Sequence, residues 1–254
     1  PIGGIKGSMK ILQKLVRITK PNEIVICWDG PNGSQKRKTL DSGYKEGGKP
    51  LRLNRAVHNL TENEELQNKL WQQMRITEYL NQMPIIQLIL ERVEADDIIS
   101  HVCGSPHYKG WQKVIVSNDK DFLQLCDEET VVYRPTTDKI ETKKTVIESL
   151  GIHPTNMALA RAMVGDSSDN LPGVSRVGFK TIAGKLPFMS EERTVTIDEL
   201  LDYCENTDSK LKVYKNIRES KKLIEHNYKM MQLYSPLISV QGKQTIDYSL
   251  ENFE

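Results

Sequence analysis

Three short apolar runs, each followed by acidic residues, constrain the fold of this chain most. The runs "EIVICW", "PIIQLIL" and "KVIVSND" are rich in β-branched residues, and stretches with helical periodicity separate them. Buried strands that alternate with helices predict an α/β fold with a mainly parallel central sheet flanked by helices. A fourth run, "TVVYRP", predicts a further strand, and the chain beyond Leu150 is expected to be almost entirely helical.

Carboxylates follow these predicted strands at the points where they end. In an open parallel sheet, ligands bind outside the carboxyl ends of the strands, so acids delivered there by separate segments come together. The loop "VGDSSDNLPG" carries two more acids that can join them. The sequence therefore predicts one cluster of eight acids: Asp29, Glu94, Asp96, Asp97, Asp119, Asp121, Asp166 and Asp169.

Eight converging acids without matching bases repel one another, so they require cations or several of them stay protonated. Hard oxygen ligands favour Mg²⁺ or Mn²⁺ over Zn²⁺, and none of the five histidines is spaced with these acids. A pair of such ions suits phosphoryl transfer. Each acidic motif by itself also suits an ordinary loop or a charged helix start, since acids favour helix N-termini. The prediction depends on the four motifs occurring together.

The stretch "LPGVSRVGFKTIAGKL" predicts a helix-hairpin-helix that contacts DNA phosphates through Gly173, Val174, Gly178 and Lys180. Glycine lets backbone N–H groups approach a phosphate closely, and a helix N-terminus adds a favourable dipole. A plain helical turn is the alternative. Such hairpins in some proteins also hold a monovalent cation, so K⁺ at this hairpin stays open.

The segment from residue 36 to 55 carries seven Lys or Arg against two acids, in a chain whose net charge is only +1. This local excess suits phosphate contacts or a solvated segment, and the sequence leaves both open. On either side of it, Ser8 is expected to cap a helix that ends near Lys20, and "TENE" predicts a capping box at Thr61 with a helix to about Asn81.

The composition argues against a membrane or secreted protein. No apolar run approaches the roughly 20 residues that a membrane helix needs, and the sequence contains no secretory leader. The four cysteines lie far apart without a CxxC pair, which is typical of reduced thiols inside a cell. We therefore expect a protein that stays inside the cell.

The blocks "VEADD", "VSNDKDFLQL" and "GDSSDNLPGVSRVGFKTIAGKL", in this order, resemble the structure-specific 5′-nucleases, and the resemblance covers nearly the whole chain. It implies a PIN-like nuclease core over residues 1–149 with a basic arch at about 31–62. A helix-hairpin-helix (H3TH) and helical part would occupy residues 150–254. Two Mg²⁺ ions, replaceable by Mn²⁺, are implied. Asp29, Glu94, Asp96, Asp97 and Asp119 resemble the acids of the first site, and Asp121, Asp166 and Asp169 those of the second.

The resemblance also assigns roles to the segment "YKEGGKPLR", which looks like the base of the family's arch. Lys45 and Arg52 match the two cations that steady the scissile phosphate. Tyr44 would stack on a base, and Arg37 would contact the DNA strand.

One departure concerns the start of the chain. The family begins with a strand whose final aspartate also serves the metals, whereas this sequence begins at "PIGGIKG", after that point, so it is expected to lack that acid.

The implied activity is a 5′-3′ exonuclease and 5′-flap endonuclease that cuts DNA at flaps, nicks or gaps in replication or repair, including Okazaki primer removal. A monomer is implied, with replication proteins as further partners. The alternatives are a DNA-structure-binding protein without catalysis and a PIN-like RNA nuclease.

Overall fold

The computed structural model describes residues 1–46, 60–207 and 211–253. The helices are α1 (Gly3–Thr19), α2 (Gln35–Leu40), α3 (Glu62–Leu80), α4 (Ala95–Gly104), α5 (Lys143–Leu150), α6 (Met157–Val164), α7 (Phe179–Lys185), α8 (Ile197–Asn206), α9 (Lys212–Glu219), α10 (Lys221–Met231) and α11 (Val240–Glu251). The strands are β1 (Val25–Trp28), β2 (Ile86–Ile89), β3 (Lys113–Val116), β4 (Thr130–Arg134) and β5 (Lys139–Glu141). The predicted α/β class is therefore confirmed.

The strands of the described residues form two small sheets rather than one continuous sheet. Strand β1 pairs with β2 in parallel, with Val25 opposite Ile86. Strand β3 pairs with β4 in parallel, with Lys113 opposite Thr130, and β5 adds to β4 in the antiparallel direction. The four predicted strands are confirmed with parallel pairing, while β5 is a short hairpin strand that the sequence pattern did not reveal.

The larger core lies between the second sheet and the C-terminal helices. It contains Ile115 and Val132 from the strands, Met163 from α6 and Ile224 from α10 in a single cluster. This cluster crosses the predicted boundary near residue 150, so the two predicted parts share a core. A second cluster packs β2, α4 and α11 together around Leu88, Ile98 and Ile246.

Helix α1 begins earlier than predicted, and its first turn is capped from another helix. The oxygen Oε1 of Gln72 on α3 accepts hydrogen bonds from the N–H groups of Gly4 at 2.8 Å and Ile5 at 3.2 Å. Ser8 lies inside the helix, so the predicted cap at Ser8 is wrong. The predicted capping box is confirmed, because Thr61 and Glu64 bond each other's backbone N–H groups at the start of α3.

In the described ranges, no helix is both long enough and apolar enough to span a bilayer. All four cysteines are free thiols, as expected from their spacing.

Candidate active site

The first group of acids lies where β1 and β2 end. Gly30 follows Asp29 and passes so close to the carbonyl oxygen of Leu90 that a Cβ there would lie 1.6 Å from it. This close approach sets Asp29 beside the start of α4, where its Oδ1 accepts the N–H of Ala95 at 2.9 Å. Glu94 is the N-cap residue of α4, and Asp96 and Asp97 lie in its first turn, which the helix dipole favours.

Arg37 is buried beneath this group and neutralises two of its members. Its Nη1 donates to Glu94 Oε2 at 2.5 Å and to Asp97 Oδ2 at 2.7 Å, and its Nε donates to the carbonyl of Met230. Only 5% of Arg37 is exposed. The predicted contact between Arg37 and a DNA strand would need an accessible guanidinium, and this arrangement instead uses it as an internal counter-charge.

A second buried arginine joins the acids of the third and fourth motifs. Arg161 Nε donates to Asp121 Oδ1 at 2.6 Å and its Nη2 donates to Asp166 Oδ2 at 2.5 Å. The other oxygen of Asp166 accepts from the backbone and hydroxyl of Ser168. Burial, which opposes ionisation, is outweighed by the bonds from Ser168 and Arg161, so the pKa of Asp166 is lowered. Sequence reasoning missed Arg161, although a single charge inside the apolar run "MALARAMV" was a signal.

Four predicted ligands have no ion pair among the described residues: Asp29, Asp96, Asp119 and Asp169. Burial and the negative charges of Asp119, Glu94 and Asp29 raise the pKa of Asp96 to about 7, against the opposing influence of Lys45. The pKa of Asp169 is raised by burial and by three further acids, Asp166, Asp119 and Glu94. Contacts also link the motifs: Asp29 accepts the N–H of Ala95, Lys45 bonds both Glu94 and the carbonyl of Asp169, and Arg161 joins Asp121 to Asp166.

Asp121 belongs to the same electrostatic cluster. Burial raises its pKa to about 6, although the nearby Arg161 guanidinium works in the opposite direction. Because the ion pair is short and the pKa of Arg161 is raised in turn, we take Asp121 to be ionised at neutral pH.

The donor chemistry of this cluster suits a hard divalent cation. Its donors are all carboxylate oxygens, and three cations, Arg37, Lys45 and Arg161, face eight acids. Among the described residues, no three His, Cys, Asp or Glu side chains are already grouped tightly enough to hold a metal ion. The carboxylate oxygens are therefore suitable metal ligands by their chemistry. In this arrangement Glu94 is paired with Lys45 and Asp166 with Arg161.

The segment from residue 41 to 46 at the base of the predicted arch is fastened to the acidic loop. Lys45 has a φ of +52°, its N–H donates to the carbonyl of Asp169 at 3.2 Å, and its Nζ bonds Glu94 Oε1 at 2.6 Å. Asn170 Nδ2 donates to the carbonyl of Gly43 at 3.2 Å. Lys45 thus lies beside the acids, whereas Arg52 lies outside the described residues.

Tyr44 does not offer a free ring for base stacking in this structure. It is 4% exposed and packs with Leu171, Met230 and Met231. Its hydroxyl donates to Asp169 Oδ2 at 3.3 Å. Stacking would require the ring to leave this cluster, so the structure gives Tyr44 a packing role instead.

The predicted hairpin is a loop between α6 and α7. Gly173 lies so close to the end of α6 that a Cβ would stand 2.0 Å from the carbonyl oxygen of Val164, and Gly178 is the N-cap residue of α7. Lys180 is exposed. Val174 is buried and its N–H donates to the carbonyl of Met163 at 2.8 Å. Neither the side chain nor the amide of Val174 is therefore free to bind a phosphate in this arrangement.

Comparison with known proteins identifies the family. A model of the 5′-3′ exonuclease N-terminal resolvase-like domain matches residues 1–151. A 5′-3′ exonuclease of Aquifex aeolicus is 29% identical over 93% of this chain and 73% of its own length. One from Buchnera aphidicola is 32% identical over 71% of this chain and 58% of its own length. DNA polymerase I of Bacillus subtilis is 31% identical over 77% of this chain, which spans only 21% of that protein.

Solved structures agree on the fold. The zinc-bound T5 5′-exonuclease matches with a TM-score of 0.77 and 16% identity, covering 98% of this chain and 90% of that one. The T5 D15 protein crystallised with metal ions matches with a TM-score of 0.75 and 18% identity, covering 98% and 91%. With the family model covering more than half of the sequence, the chain belongs to the family of the 5′-3′ exonucleases.

Proposed function

We propose that this protein is a Mg²⁺-dependent nuclease that hydrolyses DNA phosphodiester bonds near 5′ ends, at flaps, nicks or gaps. One observation supports the proposal: contacts link carboxylate-bearing segments after β1, β2, β3 and α6, and four of the carboxylates lack a cationic partner among the described residues. A protein of similar fold, the T5 D15 flap endonuclease, was solved as a pseudo-enzyme-product complex with DNA and metal ions.

The acids would hold the divalent ions. Asp29, Asp96, Asp119 and Asp169 have no ion pair within the described part of the chain, and Glu94, Asp97, Asp121 and Asp166 would complete the set. When bound, two such ions would activate a water and stabilise the charge that develops on the phosphate oxygens. No side chain needs to act as a covalent nucleophile. The role in primer removal during replication or repair is part of this proposal.

Lys45 would orient the scissile phosphate. Its ammonium now bonds Glu94 at 2.6 Å and lies at the rim of the cluster, with 38% of its side chain exposed. Burial opposes the charged form of Lys45, but the hydrogen bond and the charge of Glu94 outweigh it and raise the pKa, so the group stays cationic over the whole physiological range. A phosphate at the cluster could therefore attract the ammonium away from Glu94, which would leave that carboxylate available to a cation.

The glycine loop would hold the duplex next to the cut. Gly173 and Gly178 bring its backbone close to the end of α6 and the start of α7, and Lys180 is accessible to a phosphate. The same loop carries Asp166 and Asp169, so its position is coupled to the acidic cluster. K⁺ at the hairpin and Mn²⁺ in place of Mg²⁺ are further parts of the proposal.

Replacing Asp119 by Asn tests the assignment. The amide oxygen can still accept the N–H of Asp121, which bonds Asp119 Oδ1 at 2.9 Å, so the loop should keep its shape. We expect D119N to bind a 5′-flap DNA at least as tightly as the wild type but to cut it at least about 100-fold more slowly, equivalent to about 2.7 kcal/mol.

The matched control is D202N, which removes one exposed carboxylate on α8, and it should cut normally. Equal cutting by D119N and the wild type would contradict the proposed role of the acids. Binding without cutting by the wild type would favour a DNA-structure-binding protein, and preference for an RNA flap over a DNA flap would favour an RNA nuclease.

A further inference from the structure

Helix α1 carries a row of basic side chains that the proposed active site does not use. Lys6, Lys10, Lys14 and Arg17 are all exposed, and residues 1–22 contain no acid. At about 100° per residue, these four side chains fall within an arc of about 80° on the helix. We call them the basic face of α1.

The spacing of this face matches a linear polyanion. Successive members are three or four residues apart, so the charges recur about every 5 to 6 Å and extend over about 16 Å. Like charges one turn apart destabilise a helix, and of the four only Lys14 has an acidic partner among the described residues, so folding does not account for the other three. Exposed surfaces ordinarily intersperse both signs, which makes an all-basic face in a chain of net charge +1 unusual.

A short chain of contacts connects this face to the acidic cluster. Lys14 Nζ bonds Asp138 Oδ1 at 2.7 Å and Tyr133 OH at 3.1 Å, at the end of β4. The next residue, Arg134, donates from Nη2 to the carbonyl of Asn118 at 3.1 Å, immediately before Asp119. One end of β4 is therefore in contact with both the basic face and the loop that carries Asp119.

The apolar side of α1 is only partly covered by the protein: no residue of the helix is buried, and Ile11, Val16 and Ile18 are exposed. Ile5, Leu12 and Leu15 are half-buried, and Gln72 of α3 holds the first-turn amides. A helix that binds a bilayer needs its apolar face for insertion. These three apolar side chains of α1 are half-buried and unavailable for insertion, and Lys14 contacts the end of β4 that also touches the loop with Asp119, which favours a nucleic acid over a lipid surface.

We infer that the basic face of α1 binds the sugar-phosphate backbone of the nucleic acid where it passes beyond the acidic cluster. This surface is separate from the glycine loop and from the predicted arch, and the inference rests on the proposed function. The contact carries no base specificity, because only phosphates are engaged. It extends the protein surface that contacts the nucleic acid by about 16 Å, the length of the basic face.

The test compares two triple variants with the same loss of charge. K6Q/K10Q/R17Q removes three members of the face and leaves Lys14 with Asp138. The control, K69Q/K109Q/K222Q, removes three exposed lysines from other parts of the surface. Binding of a 5′-flap DNA is measured in EDTA by fluorescence anisotropy at several salt concentrations, and thermal melting checks that both variants fold.

We expect K6Q/K10Q/R17Q to bind at least about tenfold more weakly at 0.1 M salt, with a salt-dependence slope reduced by about 2 to 3, since each phosphate contact contributes about 0.9. The control should stay within about twofold of the wild type. If the wild type binds and cuts the flap and the two triple variants bind it equally tightly, this inference alone is overturned. A wild type that neither binds nor cuts would overturn the proposed function as well. Weaker binding of K6Q/K10Q/R17Q to phosphatidylserine vesicles, with DNA binding unchanged, would assign the face to a lipid surface and also overturn the inference.

Discussion

Replacing Arg161 by Met should destabilise the protein strongly in the absence of divalent ions. Methionine fills a similar volume in the apolar helix α6 but leaves Asp121 and Asp166 without their guanidinium. Removing one partner of a buried ion pair costs about 3 to 5 kcal/mol, because the remaining charge is uncompensated. The two carboxylates are 16% and 19% exposed and keep some hydration, so we expect the lower end, about 3 kcal/mol.

Urea denaturation in EDTA measures this loss as a change in the free energy of unfolding. In a chain of this length, about 3 kcal/mol corresponds to a fall in the melting temperature of about 6 to 12 °C. R193M is the matched control, because Arg193 also pairs with two acids, Glu191 and Glu199, but is 43% exposed. That change should cost less than about 1 kcal/mol.

A compensating variant tests the electrostatic cause. R161M/D121N/D166N removes the stranded charges together with the arginine, so it should recover most of the lost stability. If R161M cost no more than R193M, or if the triple variant stayed as unstable as R161M, the view of Arg161 as a necessary internal counter-charge would be refuted.

Three further changes probe other parts of the fold. G173A should lower the free energy of unfolding by more than about 3 kcal/mol, because its Cβ would meet the carbonyl of Val164 at 2.0 Å. G178A meets nothing within 4 Å and only weakens the N-cap of α7, so it should cost no more than about 1 kcal/mol. Burial lowers the pKa of His153 below its usual 6.5. Because the folded state opposes protonation of His153, the stabilisation that the neutral imidazole contributes is complete above about pH 6.5. It is lost as the pH falls below that value. H153N should therefore lose less stability than the wild type between pH 7.5 and 5 in urea titrations, and parallel losses would contradict this view. Y44A should cost about 3 kcal/mol because Tyr44 is a packed core residue, whereas Y44F should cost less than about 1 kcal/mol. Unchanged stability of Y44A would instead favour an exposed ring.

The sequence predicted the elements whose signals are local. The run "KVIVSND" gave β3 and the loop with Asp119, and the capping box at Thr61 gave the start of α3, because both patterns depend on neighbouring residues. The convergence of the acids was also predictable, since parallel strands end at the same edge of a sheet. The contacts of Lys45 with Glu94 and Asp169, and of Arg161 with Asp121 and Asp166, agree with this expectation.

The partners of the acids were not predictable, because they come from distant parts of the chain. Arg37 is 57 residues from Glu94, and Arg161 is 40 residues from Asp121. A pattern of neighbouring residues cannot show that a basic side chain is buried against an acid. For the same reason, the sequence led us to predict a DNA contact for Arg37 and an N-cap at Ser8. In the structure, Gln72 of α3 caps α1 instead.

If the acids bind divalent ions, as proposed, this chain cuts DNA only in the presence of such ions. The most direct measurement is release of a labelled 5′ flap from a DNA junction by the full chain, with Mg²⁺ and with EDTA. We expect release of the flap with Mg²⁺ and none with EDTA. Equal release in EDTA, or tight binding of the junction with no release at any Mg²⁺ concentration, would contradict this expectation.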